Sequence, residues 1–224
     1  MIRLCIFDMD GLLLDTERNM YAKTGKEVSE ELGYPLDMTF LRSMMGKAWD
    51  LYIKEVSATY DGKFPTDEYL ERYWARINNM IETQALPLRP GAKEVLDYCK
   101  ENGYLMAIGT STPFRQTKLC LENTGLYDYF DFILTGDQVS KGKPDPEIFL
   151  SVVEHFGVNK DEAIVLEDGH NGAQAALNGG LKLILVEDMA YVTDEDREKA
   201  SLYTRDLHDA IDYLRRDRET AAGL

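Results

Sequence analysis

The sequence predicts an α/β fold in which a doubly wound parallel sheet carries an inserted helical segment. Runs that are apolar at nearly every position are typical of strands buried on both faces of a parallel sheet. The long interval between the first two such runs contains no convincing strand, which indicates a helical insertion after the first strand. The predicted strands are residues 3–7, 105–109, 132–135, 163–166 and 182–186.

Helical patterns separate the last four of these strands. Proline near the start and glycine at the end are the usual punctuation of a helix. Strands and helices that alternate in this way imply right-handed crossovers in a doubly wound sheet. One helix follows Pro90-Gly91 and ends at Gly103, one runs from Thr112-Pro113 to near Gly125, one runs from Asp145-Pro146 to Gly157, and one covers residues 173–178.

The inserted segment is predicted to be entirely helical, with helices over residues 16–32, 41–60 and 66–83. Thr66 is the expected N-cap of the third helix, since threonine favours that position.

An insertion of this length predicts a second domain. The division places residues 1–14 and 88–224 in an α/β core domain and residues 15–87 in a helical domain. The polar end of the chain, from Arg215 onward, is expected to be frayed.

Charge and cysteine content limit the class of protein. The 224 residues carry 25 lysines and arginines against 40 aspartates and glutamates, a formal net charge of −15. Nucleic acids and anionic membranes bind positive surfaces, so neither is expected as a partner. No apolar run approaches the roughly 20 residues of a membrane helix. The 3 widely spaced cysteines predict reduced thiols in a cytoplasmic protein. We also expect the protein to be a monomer and to act on a small molecule.

Two aspartates follow the first predicted strand. Asp8 and Asp10 are two residues apart, so in an extended segment both side chains point past the carboxyl end of the strand. Open α/β sheets bind ligands at this edge, and Gly11 permits a sharp turn away from it. Two carboxylates this close repel each other unless one is protonated or a cation lies between them. Oxygen ligands suit Mg²⁺, so the pair predicts a magnesium site; a solvated acidic turn is the alternative.

A second acidic pair, Glu167 and Asp168, ends the fourth predicted strand. If that strand lies beside the first, Asp168 and Asp8 converge on one cation, an arrangement more specific than either pair alone. One of the two acids could instead cap the following helix.

Two further segments offer groups that bind anions. Thr110 and Ser111 lead from the second strand into a helix, where hydroxyl groups, free N–H groups and the helix dipole form an anion cradle. Thr112 is the expected cap of the same helix. Lys143 precedes Pro144, which restricts the lysine to an extended conformation and fixes its charge in place. A solvated surface lysine is the alternative.

Taken in order, these segments resemble the signature of the haloacid dehalogenase superfamily of aspartate-nucleophile phosphotransferases. Residues 7–11 are similar to its first motif, DxDG, and Thr110 and Lys143 fall at the second and third. Glu167-Asp168, with Gly172 beyond them, resembles the fourth. The match spans almost the whole chain, and the start FDMDGLLLDTE is similar to the branch holding beta-phosphoglucomutase and pseudouridine-5′-phosphatase. The resemblance implies a Rossmann-like core with an inserted all-helical cap.

The resemblance also implies a role for each motif residue. Asp8 would be the nucleophile that forms an aspartyl-phosphate, and Asp10 the acid that protonates the leaving oxygen and then the base that activates water. Asp10 therefore needs a raised pKa when the cap excludes water. Asp168 would ligate Mg²⁺ directly and Glu167 through water, with Asp8 and the backbone carbonyl of Asp10 also at the metal. The residues that would hold the phosphoryl group are Thr110, Ser111 and Lys143.

The predicted activity is Mg²⁺-dependent hydrolysis of a small phosphomonoester, a sugar phosphate or a nucleotide-like monophosphate. The alternative is a phosphosugar mutase with the same core. Mutases similar to beta-phosphoglucomutase carry a histidine in the first cap helix and an arginine beyond a glycine in the cap loop. Residues 15–20 contain no histidine, and Gly46 is followed by Lys47. Lys47 is the cap residue expected to contact substrate, and an exposed helix lysine is the alternative.

Two other classes fit less well. Dehalogenases of the superfamily lack the acid two residues after the nucleophile, whereas Asp10 is present. A non-enzymatic phosphate-responsive module needs an open face, whereas this chain carries a long insertion at that face.

Overall fold

A computed structural model describes residues 1–44, 49–84 and 86–223, without the side chains of Trp49 and Asp50. A parallel sheet forms its centre, in the order β3-β2-β1-β4-β5-β6. The parallel α/β sheet predicted from the sequence is confirmed, and strands one and four are neighbours. The strands are β1 (Leu4–Phe7), β2 (Leu105–Thr110), β3 (Phe132–Thr135), β4 (Ala163–Glu167), β5 (Lys182–Val186) and β6 (Leu202–Thr204).

The apolar runs form strands because both faces of the sheet are covered. In β1, Leu4 and Ile6 pack into one hydrophobic cluster, while Cys5 and Phe7 pack into a second cluster on the opposite face. Side chains alternate between faces along a strand, so every position of a central strand must be apolar.

Helices cover the two faces. Outside the inserted segment, the helices contributing to the Phe7 cluster are α5 (Ala92–Glu101), α6 (Phe114–Thr124) and α10 (His208–Ala222), and those contributing to the Leu4 cluster are α7 (Glu147–Phe156) and α8 (His170–Asn178). A short helix, α9 (Asp194–Lys199), precedes β6, and single 3₁₀ turns lie at Tyr127–Tyr129, Gly136–Gln138 and Lys160–Glu162. The end predicted to be frayed from Arg215 onward is instead helical, because α10 continues to Ala222, and Asp217 Oδ2 accepts a hydrogen bond from the N–H of Ile2 at 2.6 Å.

The regular elements that the structure describes between β1 and α5 are all helical. A π-helical turn, Glu17–Ala22, leads directly into α1 (Lys23–Glu31), and α2 (Met38–Met44), α3 (Trp49–Thr59) and α4 (Thr66–Thr83) follow. The helix predicted over residues 41–60 is helical in its described parts, which belong to α2 and α3, and residues 45–48 lie outside the described residues. Thr66 is not an N-cap: it is the first residue of α4, and its hydroxyl donates back to the carbonyl of Phe64 at 3.3 Å.

The two connections to this inserted helical segment run side by side. The N–H of Asp15 donates to the carbonyl of Pro87 at 2.8 Å, and the N–H of Arg89 donates to that of Leu13 at 2.9 Å. These bonds lie at the two predicted domain boundaries; the division into two domains, 1–14 with 88–224 and 15–87, stays a prediction. Among the described residues, no helix has the length and apolar character needed to cross a lipid bilayer.

Candidate active site

The carboxyl ends of β1, β2 and β4 meet at one cavity of about 340 Å³. Because β1 lies between β2 and β4, residues far apart in sequence are brought to the same edge of the sheet. The candidates predicted from the sequence that line this cavity are Asp8, Asp10, Thr110, Ser111, Lys143, Glu167 and Asp168. Lys47, predicted to contact substrate from the insert, lies outside the described residues.

Three carboxylates form the centre of the cavity. One oxygen from each of Asp8, Glu167 and Asp168 lies within 4.8 Å of the others, and all three residues are buried. Lys143, itself buried, places its Nζ 2.6 Å from Asp8 Oδ1 and 2.8 Å from Glu167 Oε1. Its ammonium also lies 4.8 Å from the centre of the Phe149 ring. The alternative of a solvated surface lysine is wrong.

Two glycines leave the space that these carboxylates occupy. A methyl group at Gly172 would overlap the Glu167 carboxylate and lie 2.7 Å from its Cγ, and one at Gly11 would lie 2.8 Å from Asp168 Cγ. Gly11 also has a φ of +80°, a conformation that favours glycine. At both motif positions, a residue with a side chain would therefore collide with one of the buried carboxylates.

Backbone donors hold Glu167 in place. Its Oε2 accepts hydrogen bonds from the N–H groups of Asp168 at 2.7 Å and Gly169 at 2.9 Å. With Lys143 on Oε1, each oxygen of this buried carboxylate has a partner, as burial requires. Asp168 differs, because its Oδ2 is buried without a hydrogen-bond partner in the described part of the chain.

Burial of several acids together strongly perturbs their ionisation. Burial raises the pKa of Asp8 to about 7; Lys143 opposes this rise, and Glu167 and Asp10 add to it. Burial, followed by the charges of Glu17 and Glu167, raises the pKa of Asp168 well above its usual value. For Lys143, burial disfavours the charged form, but Asp8 and Glu167 outweigh it and raise the lysine pKa.

Asp10 is held by a residue from the second strand end. The hydroxyl of Thr112 donates to Asp10 Oδ2 at 2.6 Å, whereas Oδ1 is buried without a partner among the described residues. Burial raises the pKa of Asp10 and the Thr112 bond opposes that rise, so the net change has the predicted direction. Thr112 does not cap the following helix, which begins at Phe114 and is preceded by Pro113.

Thr110 and Ser111 lie beside these acids. Thr110 is almost completely buried, and its Oγ1 accepts a hydrogen bond from the N–H of Thr112 at 3.2 Å, while Ser111 is exposed to solvent. Both line the cavity on the β2 side.

Sequence reasoning missed one acid of the cavity. Glu17, the first residue of the π-helical turn, lines it, is only 8% exposed, and has a buried Oε2 without a partner among the described residues. Burial, followed by the charges of Asp188 and Asp10, raises its pKa to about 8. The adjacent Arg18 does not neutralise it, since Arg18 pairs with Asp188 at 2.9 Å. A carboxyl group in a predicted helix ordinarily indicates a solvated face, so no local pattern marks Glu17 as a residue of the cavity.

The chain is similar in sequence to known hydrolases. A profile of the family described as "Haloacid dehalogenase-like hydrolase" matches residues 5–186. The chain is 34% identical over 182 residues to the "Phosphorylated carbohydrates phosphatase" of Thermotoga maritima, a match covering 80% of this chain and 82% of that protein. It is 29% identical over 215 residues to the "Probable pseudouridine-5'-phosphatase" of Drosophila melanogaster, covering 93% and 90%.

Solved structures share the fold. The crystal structure of beta-phosphoglucomutase from Clostridium difficile matches over 100% of both chains with a TM-score of 0.75 at 22% identity. The resemblance drawn from the sequence and the prediction of an enzyme are confirmed by these matches: the chain belongs to the haloacid dehalogenase-like hydrolase family.

Proposed function

We propose that this chain is a Mg²⁺-dependent phosphatase that hydrolyses a small phosphorylated metabolite through a phosphoryl group carried on Asp8. The observation that carries the proposal is the buried lysine side chain between two carboxylates: in the lining of the cavity, Lys143 holds Asp8 Oδ1 at 2.6 Å and Glu167 Oε1 at 2.8 Å. An ion pair with this geometry fixes a carboxylate in one orientation and leaves its second oxygen to react.

Asp8 is the nucleophile in this proposal. Its Oδ2 attacks phosphorus, a bond forms between Asp8 and the phosphoryl group, and the bond from phosphorus to the substrate oxygen breaks. The fixed charge of Lys143 neutralises the carboxylate and the phosphoryl oxygens as they approach each other.

The donor set fits a hard divalent cation. Asp8, Glu167 and Asp168 offer only oxygen atoms, one from each lies within 4.8 Å of the others, and Asp168 Oδ2 is buried without a partner. We therefore assign the metal to Asp8 and Asp168, with Glu167 and the backbone carbonyl of Asp10 beside it. A bound Mg²⁺ would lower the cost of several negative charges in one buried place and polarise the phosphoryl oxygens.

Asp10 supplies and then removes the proton. Thr112 occupies Oδ2, so the unpartnered Oδ1 is the atom that delivers a proton to the leaving oxygen. The same atom next accepts a proton from water, whose oxygen attacks phosphorus, breaks the bond to Asp8 and releases inorganic phosphate. The raised pKa of Asp10 supports the first of these steps.

The substrate class follows from the relatives. Their names include a phosphatase of phosphorylated carbohydrates and a probable pseudouridine-5′-phosphatase, so we propose a sugar phosphate or a nucleotide-like monophosphate. A mutase similar to beta-phosphoglucomutase has less support, because the described helical turn Glu17–Ala22 contains no histidine.

The test measures phosphate release from a panel of glycerol 3-phosphate, sorbitol 6-phosphate, glucose 6-phosphate and uridine 5′-monophosphate, with Mg²⁺ or with EDTA. Asp8→Asn should release no phosphate, and mass spectrometry after an acid quench should find the wild-type phosphoryl group on Asp8. Asp161→Asn, which changes an exposed aspartate outside the cavity, is the matched control and should retain activity.

Equal phosphate release by Asp8→Asn and wild type would refute the mechanism. Activity that persists in EDTA would refute the metal requirement. Conversion of β-glucose 1-phosphate to glucose 6-phosphate without free phosphate would instead favour the mutase.

A further inference from the structure

Glu17 is the carboxyl group of the cavity that the proposed hydrolysis does not use. It differs from the other acids in position, because it belongs to the inserted helical segment, whereas Asp8, Asp10, Glu167 and Asp168 follow strands of the sheet. Its side chain nevertheless lines the same cavity as Lys143 and is 8% exposed.

The oxygens of the neighbouring acids have assigned tasks. Lys143 holds Asp8 and Glu167, Thr112 holds Asp10, and the Asp168 oxygen without a partner lies in the carboxylate group that fits a cation. Glu17 does not belong to that group of three, and no ion pair involves it among the described residues. Its Oε2 is thus a buried acceptor facing a cavity without a partner from the described chain.

A phosphoryl group is a poor partner for this oxygen. Two anionic groups in a buried place repel each other, and the phosphoryl group already has Lys143 and the strand-end hydroxyl groups as proposed partners. An alcohol hydroxyl is a suitable partner, because it donates to a carboxylate and accepts from a carboxylic acid. The match therefore holds in either protonation state of Glu17.

We propose that Glu17 is a specificity-determining residue that binds a hydroxyl group of the substrate's leaving alcohol and so selects polyhydroxylated phosphomonoesters. This assignment rests on the proposed phosphatase function. A site with a buried polar group rejects an analogue that lacks the matching hydroxyl, because the group is then left unpaired.

The test compares two substrates of the same carbon number, glycerol 3-phosphate and n-propyl phosphate, which differ in hydroxyl groups. Wild-type enzyme should prefer glycerol 3-phosphate, and Glu17→Leu should lower the ratio of the two kcat/KM values by about 10- to 100-fold, as expected for a hydrogen bond to a charged group. Using the ratio removes any change in metal affinity or folding, because such a change affects both substrates alike. Glu30→Gln, which removes an exposed carboxyl group from α1 outside the cavity, is the matched control and should keep the wild-type ratio.

An unchanged ratio in Glu17→Leu would overturn the proposal, including the case in which both activities fall equally. If Glu17→Leu does not fold, Glu17→Gln tests the same ratio, which should fall about 3- to 10-fold because a neutral acceptor forms the weaker hydrogen bond. Failure of the phosphatase proposal itself would look different: wild-type enzyme would release phosphate from neither substrate, or Asp8→Asn would release as much as wild type.

Discussion

Gly172→Ala is expected to destabilise this protein, although the same exchange in an ordinary helix does the opposite. Gly172 lies within α8, where alanine would normally stabilise by about 0.5–1 kcal/mol. Here the added methyl group would overlap the Glu167 carboxylate and lie 2.7 Å from its Cγ. Glu167 is 3% exposed, and it cannot turn away from the added methyl group without losing hydrogen bonds that hold its carboxylate.

The cost follows from what holds Glu167. Its carboxylate accepts hydrogen bonds from Lys143 at 2.8 Å, from the N–H of Asp168 at 2.7 Å and from the N–H of Gly169 at 2.9 Å. Losing one hydrogen bond to a charged group costs about 1.5–3 kcal/mol, and overpacking costs about 1–3 kcal/mol. After subtraction of the helix gain, the free energy of unfolding should fall by about 2–5 kcal/mol.

Urea unfolding followed by far-UV circular dichroism measures this loss, and isothermal titration calorimetry with Mg²⁺ measures the weaker metal binding expected when Glu167 moves. Gly142→Ala is the matched control, because nothing lies within 4 Å of the added methyl group, and its stability should stay within about 0.5 kcal/mol of wild type. A Gly172→Ala protein that is as stable as wild type and binds Mg²⁺ equally well would refute the steric reasoning.

Three further outcomes are expected. Lys143→Met should reduce phosphate release about 100- to 1000-fold, as for loss of a group that stabilises transition-state charge. It should also raise the pKa of Asp8 above about 7, since Lys143 opposes the increase that burial causes. An unchanged Asp8 titration by NMR would contradict the role of the ion pair. Thr112→Val removes the donor that lowers the Asp10 pKa and should move the alkaline limb of the pH–rate profile upward, whereas Thr112→Ser should leave it in place. In EDTA, thermal stability should fall as the pH rises from 5 to 8. Burial raises the pKa of Asp8 to about 7 and of Glu17 to about 8, so in this range the folded chain binds protons that the unfolded chain has released. The resulting stabilisation is complete near pH 4 and is lost as the pH rises through about 8. Added Mg²⁺ should reverse the trend at pH 8, and a melting temperature that rises with pH in EDTA would contradict the sign.

The core strands were predictable because each is buried on both faces. The five predicted strands agree with the structure to within one residue at each end. The sixth, Leu202–Thr204, was missed because it lies at the edge of the sheet, is only partly buried and carries polar residues on both sides. Such a strand forms through pairing with β5, a contact that local hydrophobicity does not report.

The inserted segment was less predictable because packing, and not local sequence, sets its boundaries. The stretch predicted as one helix over residues 16–32 begins instead with a π-helical turn, Glu17–Ala22. Met20 and Ala22 are fully buried there beside Glu17, an arrangement that a regular apolar repeat would not indicate. Only α4 was predicted with its observed bounds, because Tyr69, Tyr73, Ile77 and Ile81 bury one face at four-residue spacing.

The site shows the same division between local and long-range information. Acids that directly follow an apolar run are visible in the sequence, so Asp8 and Asp168 could be paired once the two strands were assumed to be neighbours. No local pattern indicates that Thr112 reaches Asp10 across 102 positions of sequence, or that Glu17 turns inward to the cavity. Both contacts depend on how the connections leave the sheet, which is a property of the assembled fold.

The charge of the cavity explains how a protein with a net charge of −15 can bind an anion, and how it can orient one. Among the described residues lining the cavity, Lys143 faces Asp8 and Glu167 from the core, while Glu17 approaches from the inserted segment. A phosphoryl group is best accommodated where Lys143 and the proposed cation offset the acids, because Glu17 is a carboxyl group without an ion-pair partner among the described residues. The alcohol is then directed toward Glu17, where its hydroxyl groups satisfy an oxygen that the chain leaves open. Lys143 and Glu17 thus make opposite demands on the substrate, and a phosphomonoester of a polyol meets both.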